Sequence, residues 1–285
     1  MSTWHLIIDV DRCEDCNNCL LACKDEHVDN AWPGYTAPQP RHGHRWIDVR
    51  RKERGEFPLV DVAYLPLTCM QCEQAPCIEA GKGAIFKRSD GIVLIDTERA
   101  RGHKELLDAC PYGAIWWNEE EQLPQKCTLC AHLLDAGWTQ TRCVQACPTG
   151  ALRLVREEEA DFAARVEGEG LQSLLPEAET RPTVVYRNLA RWEGIRVAGT
   201  VTLARDGVID CAKGARVALH RGDAVLRETQ ADAFGDYVFD GVATGDYAVT
   251  AELEGFAAGE AALSVQGSCT ADPIHLELRQ ELVSE

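Results

Sequence analysis

The sequence predicts an α+β chain in two parts, a cysteine-rich N-terminal domain built as a double repeat and a C-terminal all-β sandwich. Three observations carry that prediction. Twelve of the fourteen cysteines fall before residue 148, in tight C-x2-C clusters. Between those clusters, short β runs, helices and turns recur twice in the same order. From Val197 onward the texture changes to alternating runs broken by Gly and Asp, the pattern of a small sandwich. A length of 285 residues suits about two domains. The expected boundaries are 1–155 for the first domain, 156–196 for a connector and 197–285 for the sandwich.

Residues 5–10 (His-Leu-Ile-Ile-Asp-Val) have strand character and lead into the first cysteine loop, with a short helix over 20–28 behind it. The stretch 30–66 is long, aromatic and Pro-rich, and such a loop is usually functional or an interface. Two β runs flank Asp90-Gly91, a hairpin signal. A helix over 97–107 is expected before Cys110, then a strand through Trp116 and Trp117. Glu157, Glu158 and Glu159 open an amphipathic helix with Phe162 and Val166 on one face, and Thr183–Tyr186 has extended character. Seven β runs follow, at 197–203, 215–220, 224–229, 236–240, 246–253, 261–265 and 273–278.

The chemistry lies in the cysteines. Cys13, Cys16, Cys19 and Cys23 have the spacing C-x2-C-x2-C-x3-C, in which three thiolates wrap one [4Fe–4S] cluster and the fourth serves another. With that crossover, Cys13, Cys16 and Cys19 take Cys147, while Cys127, Cys130 and Cys143 take Cys23. Cys69, Cys72 and Cys77 are then completed by Cys110. None of the twelve is left over, so three [4Fe–4S] clusters are expected in a ferredoxin-like double repeat. Taken alone, Cys127, Cys130, Cys143 and Cys147 could close a tetrahedral zinc site, but the first motif is too dense for one zinc, and Cys147-Pro148 is a cluster ending. Cys211 and Cys269 have no motif; they are expected as buried or free thiols, with a disulfide as the lesser alternative. His42 and His44 lack a neighbouring thiolate or carboxylate to complete a metal site.

A net charge of −17, acidic in both halves, argues against nucleic acid as a partner. The exception is the basic stretch Arg41–Arg54, either a solvated loop or a docking face. No run approaches the roughly 18 apolar residues of a membrane span, and the N-terminus has no signal pattern, so a cytoplasmic location is expected. No Gly-rich phosphate loop, nucleophile elbow or paired-carboxylate pattern marks a catalytic residue.

The cysteine groups resemble those of the iron–sulfur (beta) subunits of the dimethyl-sulfoxide-reductase family of molybdopterin enzymes. Those subunits commonly carry four clusters; here Gly81 stands where the second group's last cysteine is expected, and the C-x2-C-x2-C before Cys110 is absent. The resemblance therefore implies that one cluster is lost whole. A closer likeness is to the small subunits of pyrogallol–phloroglucinol transhydroxylase and resorcinol hydroxylase. It rests on Asp15-Cys-Asn-Asn-Cys19, Trp32-Pro-Gly-Tyr-Thr36, His42-Gly-His-Arg-Trp46, Cys69-Met-Gln-Cys72 and Gln125-Lys-Cys-Thr-Leu-Cys-Ala-His-Leu-Leu134. It implies an electron-transfer subunit beside a large catalytic subunit, which would hold molybdenum on two pterin guanine dinucleotides and act on a polyhydroxylated aromatic ring. A further electron donor or acceptor protein is implied. The rival expectations are a free-standing polyferredoxin and an assembly subunit whose clusters do not turn over.

Overall fold

The computed structural model describes residues 2–205 and 207–279; residues 280–285 of the expected β domain lie outside the described residues. The chain divides into two compact units, one formed by residues 1–51 and 64–189 and the other by 52–63 and 190–285.

In chain order the first part runs β1 (Thr3–Asp9), α1 (Asn18–His27), β2 (Ile47–Arg54), β3 (Asp61–Thr68), α2 (Pro76–Gly81), β4 (Ile85–Lys87) and β5 (Val93–Ile95). It continues β6 (Trp116–Asn118), β7 (Leu123–Gln125), α3 (Ala131–Asp135), α4 (Arg142–Gln145), β8 (Leu152–Glu157), α5 (Glu159–Gly168) and β9 (Val184–Arg187). β1 is the central strand of three, antiparallel to β8 and parallel to β9. Its residues from Trp4 to Asp9 are all buried, as a strand covered on both faces requires. Alternation sends Ile7 to one face, where it packs with Phe162, Leu171 and Val185, and Leu6 to the other, where it lines a cysteine cavity. Two small antiparallel hairpins follow, β4–β5 after Cys77 and β6–β7 between Cys110 and Cys127.

Three expectations are corrected here. The loop 30–66 holds much of a β-hairpin, β2–β3, whose alternation is masked by the run Arg50-Arg-Lys-Glu-Arg54. The connector 156–196 is not a separate segment: α5 and β9 belong to the first unit, β9 through a parallel pairing with β1 that no local pattern announces. The helix expected over 97–107 is a series of turns, with a single 3-10 turn at Lys104–Leu107. Asp96 caps the first turn, its carboxylate accepting the backbone N–H groups of Glu98 and Arg99, but Gly102 (φ 83°), whose N–H turns away to the Gln122 carbonyl, stops it there.

The second unit contains α6 (Ala190–Glu193), β10 (Ile195–Arg205), β11 (Val208–Cys211), β12 (Arg216–Arg221), β13 (Ala224–Gln230) and β14 (Asp236–Val242). It ends with β15 (Gly245–Glu252), β16 (Gly259–Val265), β17 (Cys269–Thr270) and β18 (Ile274–Glu277). One sheet is built on β10, which pairs with β11, β14, β17 and β18; the other has the order β13-β12-β15-β16. Their alternating residues share one core, including Val197, Val201, Val217, Leu219, Phe239, Val249 and Leu276. Gly199 is required there, because a Cβ at that position would come within 2.2 Å of the Tyr237 hydroxyl oxygen.

Candidate metal centres

Three cavities in the first unit are each walled by four cysteines. Cys13, Cys16, Cys19 and Cys147 line one. Cys23, Cys127, Cys130 and Cys143 line a second. Cys69, Cys72, Cys77 and Cys110 line a third. These are the groups expected from spacing and crossover. Cys211 is exposed and Cys269 half-buried; both are free thiols outside the cavities.

The local backbone explains how the thiols converge. In three of the four C-x2-C loops the residue before the second cysteine is left-handed: Asp15 (φ 54°), Gln71 (φ 50°) and Leu129 (φ 52°). Such turns swing successive N–H groups to one side, a concavity suited to an anionic group. The Leu129 N–H lies 3.3 Å from Cys127 Sγ, and the Ala114 N–H 3.5 Å from Cys110 Sγ. Gln71, itself buried, accepts from the Val93 N–H and donates to the Cys127 carbonyl, pinning the loops of the second and third cavities together. Thr141 caps α4 by accepting from the Val144 N–H, which leaves its hydroxyl hydrogen to donate to Cys143 Sγ at 3.1 Å.

Burial pushes these thiols up: Cys19, Cys72 and Cys143 to about 12 and Cys77 to about 11, with neighbouring cysteines adding to it. Burial also raises Cys147, but hydrogen bonds from Thr149 and from the backbone N–H groups of Leu152 and Ala151 outweigh it and leave that thiol below its usual value. Cys19 and Cys23 stand one turn apart on α1, and Gln71 and Lys126 both donate to the Cys127 carbonyl, so the second cavity adjoins each of the other two.

The donor set suits a cluster better than a single ion. Among the described residues, no three His, Cys, Asp or Glu side chains converge as a lone metal requires. Zinc would draw four sulfurs to about 2.3 Å from one point, whereas here the thiols are spread around a cavity wall, as the corners of a cubane demand. Gly81 packs on Ile85, to whose Cγ1 a Cβ would approach within 3.0 Å, and the space beyond is filled by Val93, Ile95, Leu106, Ile115 and Leu123.

The other sequence candidates fall outside the cavities. His44 is buried and bonded through Nε2 to the Trp117 carbonyl at 2.7 Å, and His42 is exposed. The basic stretch is largely neutralised internally: Arg41 pairs with Asp29, Arg45 with Asp48, Arg51 with Asp15, and Arg54 with Asp61 and Asp240. Sequence reasoning missed Thr68, Thr141 and Lys126, all at cavity walls; of these only Thr141 had a local signal, as the N-cap of a helix.

Twelve thiols gathered in fours, with hydrogen bonds to their sulfurs, define an iron–sulfur protein. The family model of the 4Fe-4S dicluster domain matches residues 60–157, and that of the carboxypeptidase regulatory-like domain matches 196–278. The chain is 45% identical over 258 residues to the pyrogallol hydroxytransferase small subunit of Pelobacter acidigallici, covering 90% of this chain and 92% of that one. It is 31% identical to a sulfite dehydrogenase subunit of Allochromatium vinosum (65% and 83% covered). It is 28% identical to the putative dimethyl sulfoxide reductase iron-sulfur subunit of Halobacterium salinarum (66% and 80% covered). The chain belongs to the iron–sulfur subunits of the dimethyl-sulfoxide-reductase family, in the group of the pyrogallol hydroxytransferase small subunit, and is a 4Fe–4S electron-transfer subunit. Among the described residues no helix is long and apolar enough to cross a membrane.

Proposed function

We propose that the chain binds three [4Fe–4S] clusters in a row and passes electrons to or from a large molybdopterin subunit that acts on a polyhydroxylated aromatic ring. The observation that carries this is the gathering of twelve cysteines into three cavities of four. Similarity along 90% of the chain to a pyrogallol hydroxytransferase small subunit supports the substrate class. Cubane clusters supply one-electron exchange without proton chemistry. The chain's own groups do the rest. Cys13, Cys16, Cys19 and Cys147 would hold the first cluster, Cys127, Cys130, Cys143 and Cys23 the second, and Cys69, Cys72, Cys77 and Cys110 the third. The hydroxyls of Thr141 and Thr149 lie against the Cys143 and Cys147 sulfurs, where donation favours the more negative, reduced state. Leu6, Trp46 and Ile47 exclude water from the middle cavity. The test is the metal content of the complex purified without oxygen from its native host. About twelve iron atoms and one molybdenum per copy of this chain are expected. About eight iron atoms would sink the three-cluster count, and twelve without molybdenum would make the chain a free carrier.

A further inference from the structure

Lys126 lines the third cavity with Cys69, Cys72, Cys77 and Cys110 and is only 3% exposed. Its ammonium donates to two backbone carbonyls, Val93 at 2.5 Å and Cys127 at 3.2 Å. Among the described residues no carboxylate forms an ion pair with it, whereas the neighbouring Lys87 is paired with Glu73 and Arg142, at the second cavity, with Asp25 and Glu26. An ammonium buried against carbonyls alone is unfavourable unless an anion shares the site. The cavity supplies one: four thiolates around a [4Fe–4S] core carry a net charge of −2 when oxidised and −3 when reduced. Tyr112, the other titratable group on that wall besides the cysteines, has its hydroxyl on the Thr180 hydroxyl and the Leu174 carbonyl. The other walls differ: the first cavity has Glu14, and the second has His27 and Arg142, whose guanidinium charge is already met by two carboxylates.

We propose that Lys126 raises the reduction potential of the third cluster, so that an electron rests there more readily than four thiolates alone would allow. This rests on the three-cluster reading above. The reasoning is electrostatic: one added electron takes the site from −2 to −3, and a fixed ammonium in a low-dielectric wall stabilises the second state more than the first. No proton moves.

The test is a redox titration of the native complex followed by electron paramagnetic resonance, with iron content measured on each sample. Lys126→Met removes the charge at similar length, and Lys126→Arg keeps it. With iron unchanged, Lys126→Met is expected to lower one cluster's reduced-to-oxidised ratio at least tenfold at fixed ambient potential. That corresponds to about 59 mV for one electron. The middle cluster should move less and Lys126→Arg by under about threefold. Unchanged midpoints in Lys126→Met, or an equal shift in Lys126→Arg, would overturn the proposal. If Lys126→Met loses about four iron atoms, Lys126→Gln, which still bonds the two carbonyls, is titrated instead and judged by the same two results. A parent complex titrating as two clusters would sink the three-cluster reading; three clusters with unmoved midpoints would sink only the role of Lys126.

Discussion

Arg54 is the most informative residue to perturb outside the cavities. Its side chain is fully buried, with Nη1 at 2.5 Å from Asp240 and Nη2 paired with Asp61. Asp61 is also held by Arg191 at 3.0 Å and Arg196 at 3.7 Å. Removing one partner of a buried ion pair costs about 3–5 kcal/mol, chiefly because the other charge is left unpaired. Here Asp240 keeps 30% exposure and Asp61 keeps its other guanidinium groups, so Arg54→Met belongs at the low end, about 3 kcal/mol. In a unit of this size that lowers the melting temperature by roughly 12 °C or more. Asp240→Asn leaves Arg54 its Asp61 partner and should cost less, about 1–2 kcal/mol. Calorimetry of the full complex, resolving the transition of the β unit, checks both values. The effect should also reach the metal sites through the chain itself, because β2 and β3 run on to Val49 and Pro66 of the first cavity and to Ile47 and Thr68 of the second. Iron release on mild heating should therefore quicken in Arg54→Met. A loss below about 1 kcal/mol, or a larger cost for Asp240→Asn than for Arg54→Met, would refute the argument.

Cys110→Ser should remove the third cluster alone, lowering iron by about four atoms per chain while leaving two cluster signals; loss of all three would show that the cavities do not fill independently. Thr141→Val removes the hydroxyl 3.1 Å from Cys143 Sγ and should shift the middle cluster to a more negative midpoint at unchanged iron content, read by the same titration. Burial lowers His5 to about 4, against the opposing pull of Glu157 and Glu73, so the folded state holds this ring neutral. Its folded pKa lies below the unfolded value of about 6.5. Stability is thus undiminished above pH 6.5 and falls as pH drops toward 4, by roughly 3 kcal/mol at most. His5→Phe, which preserves an aromatic ring against Phe162 (now stacked on His5 at 3.5 Å), should flatten denaturant midpoints measured across that window; an unaltered slope would count against the burial argument.

Much of the β unit was legible because a two-residue period is a local property. The runs at 197–203, 246–253 and 261–265 became β10, β15 and β16, and the alternation that announced them is the one that buries Tyr247, Val249 and Ala251. The grouping of cysteines was also open to sequence reasoning, since a short loop reaches only part of a cubane and the remainder can be found by counting. The hairpin β2–β3 was hidden because four consecutive positions of β2, Arg50 to Glu53, are exposed and charged, so no alternation survives.

What the sequence determined by itself, then, was everything set by spacing and period: the cysteine loops, the α+β division and the strands of the second unit. Tertiary structure alone decided what depends on residues far apart in the chain. It laid β9 beside β1, closed the network of Arg54, Asp61 and Asp240 across 186 residues, and buried the Lys126 ammonium against a wall of thiols. A lysine in a string of letters is most simply a solvated charge. Only burial, with no carboxylate beside it among the described residues, turns it into a demand for an anion.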